Sequence, residues 1–435
     1  MITWVVMMAT IMHALDGTIA NVALPSIQGA LSATQEQVSW VVTSYIVASA
    51  IMTPLAGFCA VRFGLRRILV SAVIGFTIVS MLCGAAQTLE QLVLFRALQG
   101  AFGASLVPLS QALMMETYPR EEQGKAMALW GVGTMVGPIT GPTLGGWLTD
   151  EYTWRWVFYI NLPVGIVSLI MTRAYVFDPD YVQAIRRGID YWGLGLLVLG
   201  IGALQIVLDK GQQEDWFSSN FILIFTAISA ISLVALLVHE FFADDPVIDL
   251  RVFRDGNYSA GVFLMTVVGF VLYGSMVLLP IMLQTLLGYP SMEAGIAMAP
   301  RGMGSFLMMP LVGILTTKVD VRKLLVTGLA IGGTTMLWLG QLSLNAGFWD
   351  IFWPQFFQGA GMALMFVPLT TVSMAAIPRE KMGNATSLFN LMRNIGGSVG
   401  IAVTATMLSR QSVADRKSTR LNSSHTDISR MPSSA

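Results

Sequence analysis

Charge is what this sequence has least of. Asp, Glu, Lys and Arg supply only 11% of its 435 residues, where a soluble globular chain carries about 25%. Too few polar side chains remain to cover a surface facing water. Cysteine is nearly missing as well: Cys59 and Cys83 stand alone within or beside apolar segments, and read as small core residues rather than a disulfide or metal site. There is no phosphate-binding loop of the form GxxxxGK[ST], so ATP is not implied as an energy source. Nor is there a His/Asp/Glu cluster with metal-ligand spacing or a nucleophile motif. The chain is therefore not expected to be an enzyme or to need a cofactor. No basic leader or small-residue cleavage site precedes the first apolar run, at whose edge Met1 sits, so a cleaved signal peptide is not expected.

What is present is apolar: 54% of the residues are hydrophobic, and mean hydropathy is +0.67. Long apolar runs recur, each near the roughly 20 residues that cross a bilayer as a helix. In lipid the backbone must satisfy its own hydrogen bonds, which segments this long can do only as helices. The fold class is thus an all-α polytopic membrane protein. Helices are predicted at roughly 2–24, 38–60, 67–86, 90–115, 124–148, 154–172, 190–209, 217–242, 258–284, 291–316, 321–343, 347–374 and 382–409, thirteen in all. Sorting the loops alternately puts fifteen basic residues on one side and only Arg155 and Lys210 on the other. Basic loops stay cytoplasmic, which places the N-terminus inside.

The chain repeats itself. GFCAVRFGLRRILV at 57–70 returns as GILTTKVDVRKLLV at 313–326, and QGA at 99–101, VPL at 107–109 and PRE at 119–121 return in the same order at offsets of 256 to 260. This predicts two similar six-helix halves, 1–172 and 258–414, the second lacking its last helix, with a two-helix insert at 185–245. Paired halves about a central site are a transporter design, with the substrate held between them near mid-membrane. From Asp415 the sequence turns polar, and DRKSTRLNSSH resembles the translation of a sequencing-library adapter. Residues 415–435 are accordingly read as a disordered, non-native tail, and an outer loop and fourteenth helix are expected in the natural chain.

Ionisable groups within the spans are few: Asp16, Arg96, Arg301 and Arg393, with His13 beside them. A charge at the membrane centre costs about 2.5–3.5 kcal/mol on insertion scales, so each needs a partner or a wet cavity. For Asp16, in LDGTIANVALP, one reading is a buried link to a neighbouring helix. The other, favoured as the default for such groups, is a cavity carboxylate that binds a proton or a cationic substrate. His13 lies three residues earlier, on about the same helical face, and its involvement is left open. In LFRALQGAFGA, Arg96 is a fixed positive charge, Gln99 a neutral polar group one turn on, and Gly100 a point of close approach. In the second half Gln355 stands where Arg96 would. In GVGTMVGPITGPTLGG, Gly133, Gly137, Gly141 and Gly145 fall every fourth residue and make one bare face for backbone-to-backbone packing. Pro138 and Pro142 each remove a helix hydrogen bond, so the segment reads as a hinge or seal between the halves. The loop around Gly57, Arg62, Gly64, Arg66 and Arg67 combines a tight turn with orienting charge.

Together these motifs resemble the major facilitator superfamily and, within it, the fourteen-span drug:proton antiporters, most closely the EmrB-like multidrug exporters. WRWVFYINLPVG at 154–165 and LQIVLDKGQQEDWFSS at 204–219 carry that closer likeness, and the resemblance spans about residues 1–414. It implies proton or substrate binding at Asp16, proton transfer at Arg96, leak-sealing at Gly137, Pro138, Gly141 and Pro142, and gating at Gly57, Arg62, Gly64 and Arg67. It further implies proton-driven efflux of hydrophobic, often cationic, drugs across a Gram-negative inner membrane, with lipid around the protein. A periplasmic adaptor and an outer-membrane channel would be the partners, and nucleic acid would not. One departure is Val61, where the superfamily's gating loop usually has an aspartate. An exporter of one endogenous compound, a siderophore or fatty acid, is the nearest alternative. A membrane-embedded enzyme or a receptor is the alternative of another class.

Overall fold

Helices form along almost every apolar run, and among the described residues there is no strand. The computed structural model describes residues 1–177, 190–243, 246–289, 291–343 and 346–428, leaving aside the side chains at 35, 138, 142, 277, 281, 285, 286, 291, 292 and 409–428. In chain order come α1 (Ile2–Ala30), α2 (Gln35–Phe63), α3 (Leu65–Ala85), α4 (Leu89–Gly103) and α5 (Leu106–Thr117). Then follow α6 (Gln123–Glu151), α7 (Trp156–Tyr159), α8 (Asn161–Tyr175), α9 (Tyr191–Lys210) and α10 (Asn220–Phe242). The last are α11 (Gly256–Ile281), α12 (Ser291–Leu315), α13 (Val321–Gly340), α14 (Phe348–Met374) and α15 (Met382–Ile428).

Polar residues at the ends of the apolar runs serve as caps. Thr34 and Gln37 form a reciprocal box at the start of α2, and Asp190, Asp255 and Asp320 accept backbone N–H groups at the starts of α9, α11 and α13. Each cap satisfies donors that the first helical turn leaves without a partner. Gly64, at φ +95°, turns the chain from α2 straight into α3, in a region that only glycine enters freely.

Among the described residues, eleven segments are long and apolar enough to cross a membrane, α4–α5 and α7–α8 each counting as one. They coincide with eleven of the thirteen expected spans. The other two are α6, diluted by seven glycines, and α15, which carries Asn384, Asn390, Arg393 and Asn394. Both pack among the eleven. The fourth expected span is not one straight helix. It breaks at Ala104–Ser105 because Pro108 has no N–H to give Ala104 and its ring crowds that carbonyl. Pro163 acts likewise on Tyr159 and separates α7 from α8. Where a disordered tail was expected from Asp415, α15 continues as helix to Ile428, its side chains from 409 lying outside those described. Residues 429–435, and positions 185–189 at the start of the expected insert, lie outside the described residues.

Packing is pairwise. α1 lies on α6 and α11 on α15; α2 lies on α4 and α12 on α14; α3 lies on α4 and α13 on α14. Two seams join the earlier helices to the later ones, α6 with α12 and α2 with α15. Under the sequence offset α6 corresponds to α15 and α2 to α12, so each seam is the image of the other. Trp130 of α6, fully buried, stacks on Phe366 of α14 with centroids 6.1 Å apart, and Asn390 Nδ2 of α15 donates to Gln111 Oε1 of α5 at 2.6 Å.

Helices α9 and α10 pair with each other, and α9 packs on both α2 and α15. Lys210 Nζ donates to Ser39 Oγ at 2.5 Å, and Thr43 Oγ1 donates to Asp209. On the other side of the seam, Gln205 Nε2 donates to Ser398 Oγ at 2.7 Å, and Trp216 Nε1 to Thr406 Oγ1 at 3.0 Å. The outer face of α10 bares Phe221, Ile224, Ile231, Val234 and Phe241, as a helix whose solvent is lipid should.

Candidate functional site

Asp16 and Arg96 meet. The Arg96 Nη1 donates to Asp16 Oδ2 at 2.7 Å, with the two side chains 2% and 0% exposed. Taking two charges out of water costs several kcal/mol per ion, and only further hydrogen bonds make such a pair tolerable. They are provided. Asp16 Oδ1 accepts from Gln99 Nε2 at 2.8 Å and from Asn161 Nδ2 at 3.0 Å. Arg96 Nη1 also donates to Gln99 Oε1 at 2.8 Å, and its Nε to the Val41 carbonyl at 3.3 Å. The guanidinium lies over the Tyr45 ring, 4.2 Å from its centroid, and 5.7 Å from that of Phe158. A cation over an aromatic face gains about 2 kcal/mol when desolvated. Ser80 Oγ closes the cluster, accepting from Gln99 Nε2 and Asn161 Nδ2 while donating to the Phe158 carbonyl at 2.9 Å.

Four spans thus supply one network: α1 gives Asp16, α3 Ser80, α4 Arg96 and Gln99, and α8 Asn161. Gly100 lets α4 approach α2, since a Cβ there would lie 3.0 Å from the Tyr45 carbonyl carbon. Of the residues singled out in the sequence, Asp16, Arg96 and Gln99 come together directly. His13 stands one step away, its Nδ1 3.1 Å from Tyr45 Oη with the two rings stacked. Ser80, Asn161 and Tyr45 were not expected. Asn161 lies inside the quoted WRWVFYINLPVG, and an amide in an apolar segment was the available signal.

The glycine stripe of α6 faces α1, the helix that carries Asp16. A Cβ on Gly137 would lie 2.7 Å from the Leu15 nitrogen, one on Gly141 2.9 Å from Thr18 Cβ, and one on Gly145 2.8 Å from Ile19 Cγ1. At Gly133 the contact, with Met7, is an ordinary 3.4 Å. Thr18 Oγ1 donates across to the Gly137 carbonyl at 3.0 Å. The stripe therefore clamps α1 within its own set of helices. Contact with the later helices is made elsewhere on α6: Gly131 faces Met309 Sδ and Gly124 faces Thr316. The helix is continuous through positions 138 and 142, whose side chains, Pro138 and Pro142, lie outside those described.

The basic loop forms a separate site at the α2–α15 seam. A Cβ on Gly57 would lie 2.7 Å from Asn384 Cα, so glycine is what lets the helices touch. Arg66 Nη2 donates to the Arg173 carbonyl at 2.7 Å, and Arg67 is exposed. Val61 and Arg62 line a pocket with Asp249, Lys381 and Asn384. Asp249, from the segment between α10 and α11, pairs with Lys381 at 2.6 Å and accepts from Asn384 Nδ2 through its backbone carbonyl at 3.1 Å. The pocket at Val61 thus holds a carboxylate brought by another segment of the chain. Arg62 Nε and Nη1 are buried there without a hydrogen-bond partner.

A buried, internally neutralised acid–base cluster inside a polytopic helical bundle, with two image-related seams, defines a membrane transporter of the facilitator type. The family model for the Major Facilitator Superfamily matches residues 6–401, and the chain belongs to that superfamily. It is 40% identical over 409 residues to the multidrug export protein EmrB of Haemophilus influenzae, covering 94% of this chain and 80% of that one. It is 40% identical over 414 residues to the fatty acid resistance protein FarB of Neisseria gonorrhoeae, covering 94% and 81%. Among solved structures it shares the fold of the human organic anion transporter MFSD10, with TM-score 0.67 at 13% identity, covering 93% of this chain and 92% of that one.

Proposed function

We propose that this protein is a proton-coupled exporter of hydrophobic, often cationic, drug-like molecules, working by alternating access in a Gram-negative inner membrane. The observation that carries the reading is the buried Asp16–Arg96 pair. A proton arriving at Asp16 cancels its charge and with it the attraction to Arg96. The guanidinium is not left adrift, because Gln99, the Val41 carbonyl and the Tyr45 ring still hold it. Asp16 can then exchange proton and cation in turn, with Arg96 the fixed positive charge that faces it when neither is bound. The domains 1–172 and 258–414 are the bodies that rock about the two seams, with 185–245 as the insert between them. The basic loops put the N-terminus in the cytoplasm. The EmrB relative, a multidrug export protein, supports drugs as substrates. A periplasmic adaptor and an outer-membrane channel are the partners of this reading. The FarB relative favours a second reading, export of one amphipathic compound such as a fatty acid.

The test uses inside-out vesicles and ethidium. Ethidium uptake should be driven by the proton gradient and should itself move protons, which an enzyme or receptor would not do. Asp16→Asn should abolish the coupling. If coupled uptake persisted undiminished in that variant, Asp16 would have no place on the proton path.

A further inference from the structure

The second set of helices holds a cation with nothing to balance it. Arg301, on α12, is 6% exposed. Its Nε donates to Gln355 Oε1 at 2.9 Å, but Nη1 and Nη2 are buried without any partner, as is Gln355 Nε2. Among the described residues no carboxylate pairs with it. One turn along α14, Gln358 has its Oε1 unpartnered and its Nε2 resting on Met336 Sδ at 3.6 Å. An uncompensated guanidinium inside a membrane protein is costly, and buried donors without acceptors call for an explanation.

The repeat supplies one. Its offsets of 256 and 259 put Arg301 at the position of Tyr45, Gln355 at that of Arg96 and Gln358 at that of Gln99. The second half has kept a cation beside two polar side chains and moved it to the facing helix. What it has not kept is the acid: α11, the counterpart of α1, contains no Asp or Glu. We propose that Arg301, Gln355 and Gln358 form a binding subsite for the carboxylate of a hydrophobic organic acid. The ligand then supplies the anion that Asp16 supplies in the first half. Two guanidinium N–H groups and a neighbouring amide suit the two oxygens of a carboxylate, a bidentate match that guanidinium makes well. The site adjoins the place such a ligand would come from. Gly302, next in the chain, abuts Ile139 of α6, so Arg301 lies beside the contact between the two sets of helices. The apolar neighbours Ile139 and Met336 favour a carboxylate on a greasy body over a small hydrated ion.

The subsite rests on the export reading only for the direction in which a bound acid travels. Its test is therefore made at equilibrium, without a proton gradient. Equilibrium dialysis of the purified full chain in lipid nanodiscs would compare 2-naphthoate with 2-naphthamide, its neutral analogue. Naphthoate should bind at least about tenfold tighter, and Arg301→Gln should remove that advantage while moving naphthamide by less than about twofold. Arg301→Lys should keep part of it. The Gln variant should also melt no lower than the parent, because it removes an unbalanced buried charge. Equal binding of the two ligands would overturn the proposal. So would a lower melting temperature with both ligands weakened alike, since Arg301 would then be structural. Failure of the Asp16→Asn vesicle test would leave these results untouched.

Discussion

Replacing Asp16 by Asn keeps the side chain's shape and removes its charge, which isolates the contribution of the ion pair. With Nη1 and Oδ2 at 2.7 Å, the charge centres lie about 4 Å apart, worth about 4 kcal/mol at an effective dielectric constant of 20. The asparagine amide would also turn a donor towards Arg96 Nη1 or towards Gln99 and Asn161, all donors to Asp16 in the parent. Breaking a buried pair by removing one partner costs about 3–5 kcal/mol, and both Asp16→Asn and Arg96→Gln are expected in that range. In the double variant an asparagine and a glutamine can bond as neutral amides. Its loss should fall short of the sum of the singles by at least about 2 kcal/mol, the mark of residues that interact directly. Reversible unfolding in mixed micelles, followed for parent, singles and double, measures the cycle. If either single variant cost less than about 1 kcal/mol, or if the losses simply added, the cluster would not be the dry, interlocked network described above.

Gly137→Ala should weaken α1–α6 packing by about 1–3 kcal/mol as an overpacked contact, whereas Gly146→Ala, with open space around it, should be neutral or stabilising; thermal unfolding of the two side by side checks this. Trp130→Ala removes the stack on Phe366 and the 2.9 Å bond to Thr10 Oγ1. It should cost about 3–5 kcal/mol, read from the same melts. Val61→Asp places a carboxylate in the pocket where Arg62 lacks partners. It should raise the melting temperature and slow ethidium turnover by holding that seam shut, and faster turnover would contradict the gating role that the resemblance implies for Gly57, Arg62, Gly64 and Arg67.

The sequence made Asp16 and Arg96 visible because a charge in an apolar run must be explained. Their meeting was a natural inference from opposite signs in the same set of helices. Ser80 and Asn161 were hidden for the opposite reason: hydroxyls and amides are common enough in membrane helices that one more carries little information. Their role depends on which residues of α3 and α8 face α1, and that follows from packing. The repeat was readable as matched strings, but the exchange of cation between Arg96 and Arg301 emerged only when facing helices were compared. Pro108 and Pro163 were in plain view, yet hydropathy averaged over a whole span conceals the break that a single missing N–H imposes.

Helix α9 is fastened to both sides of the α2–α15 seam, to Ser39 and Thr43 on one flank and to Ser398 on the other, with Trp216 just beyond it reaching Thr406. In the alternating-access cycle proposed above, a tether across this seam must let go of one flank each time the seam opens. Two hydrogen bonds of this kind are worth about 1–3 kcal/mol together, equivalent to slowing a step by roughly five- to 160-fold. In that cycle the inserted helices would act as a clutch, setting how often the two bodies part, whatever passes between them.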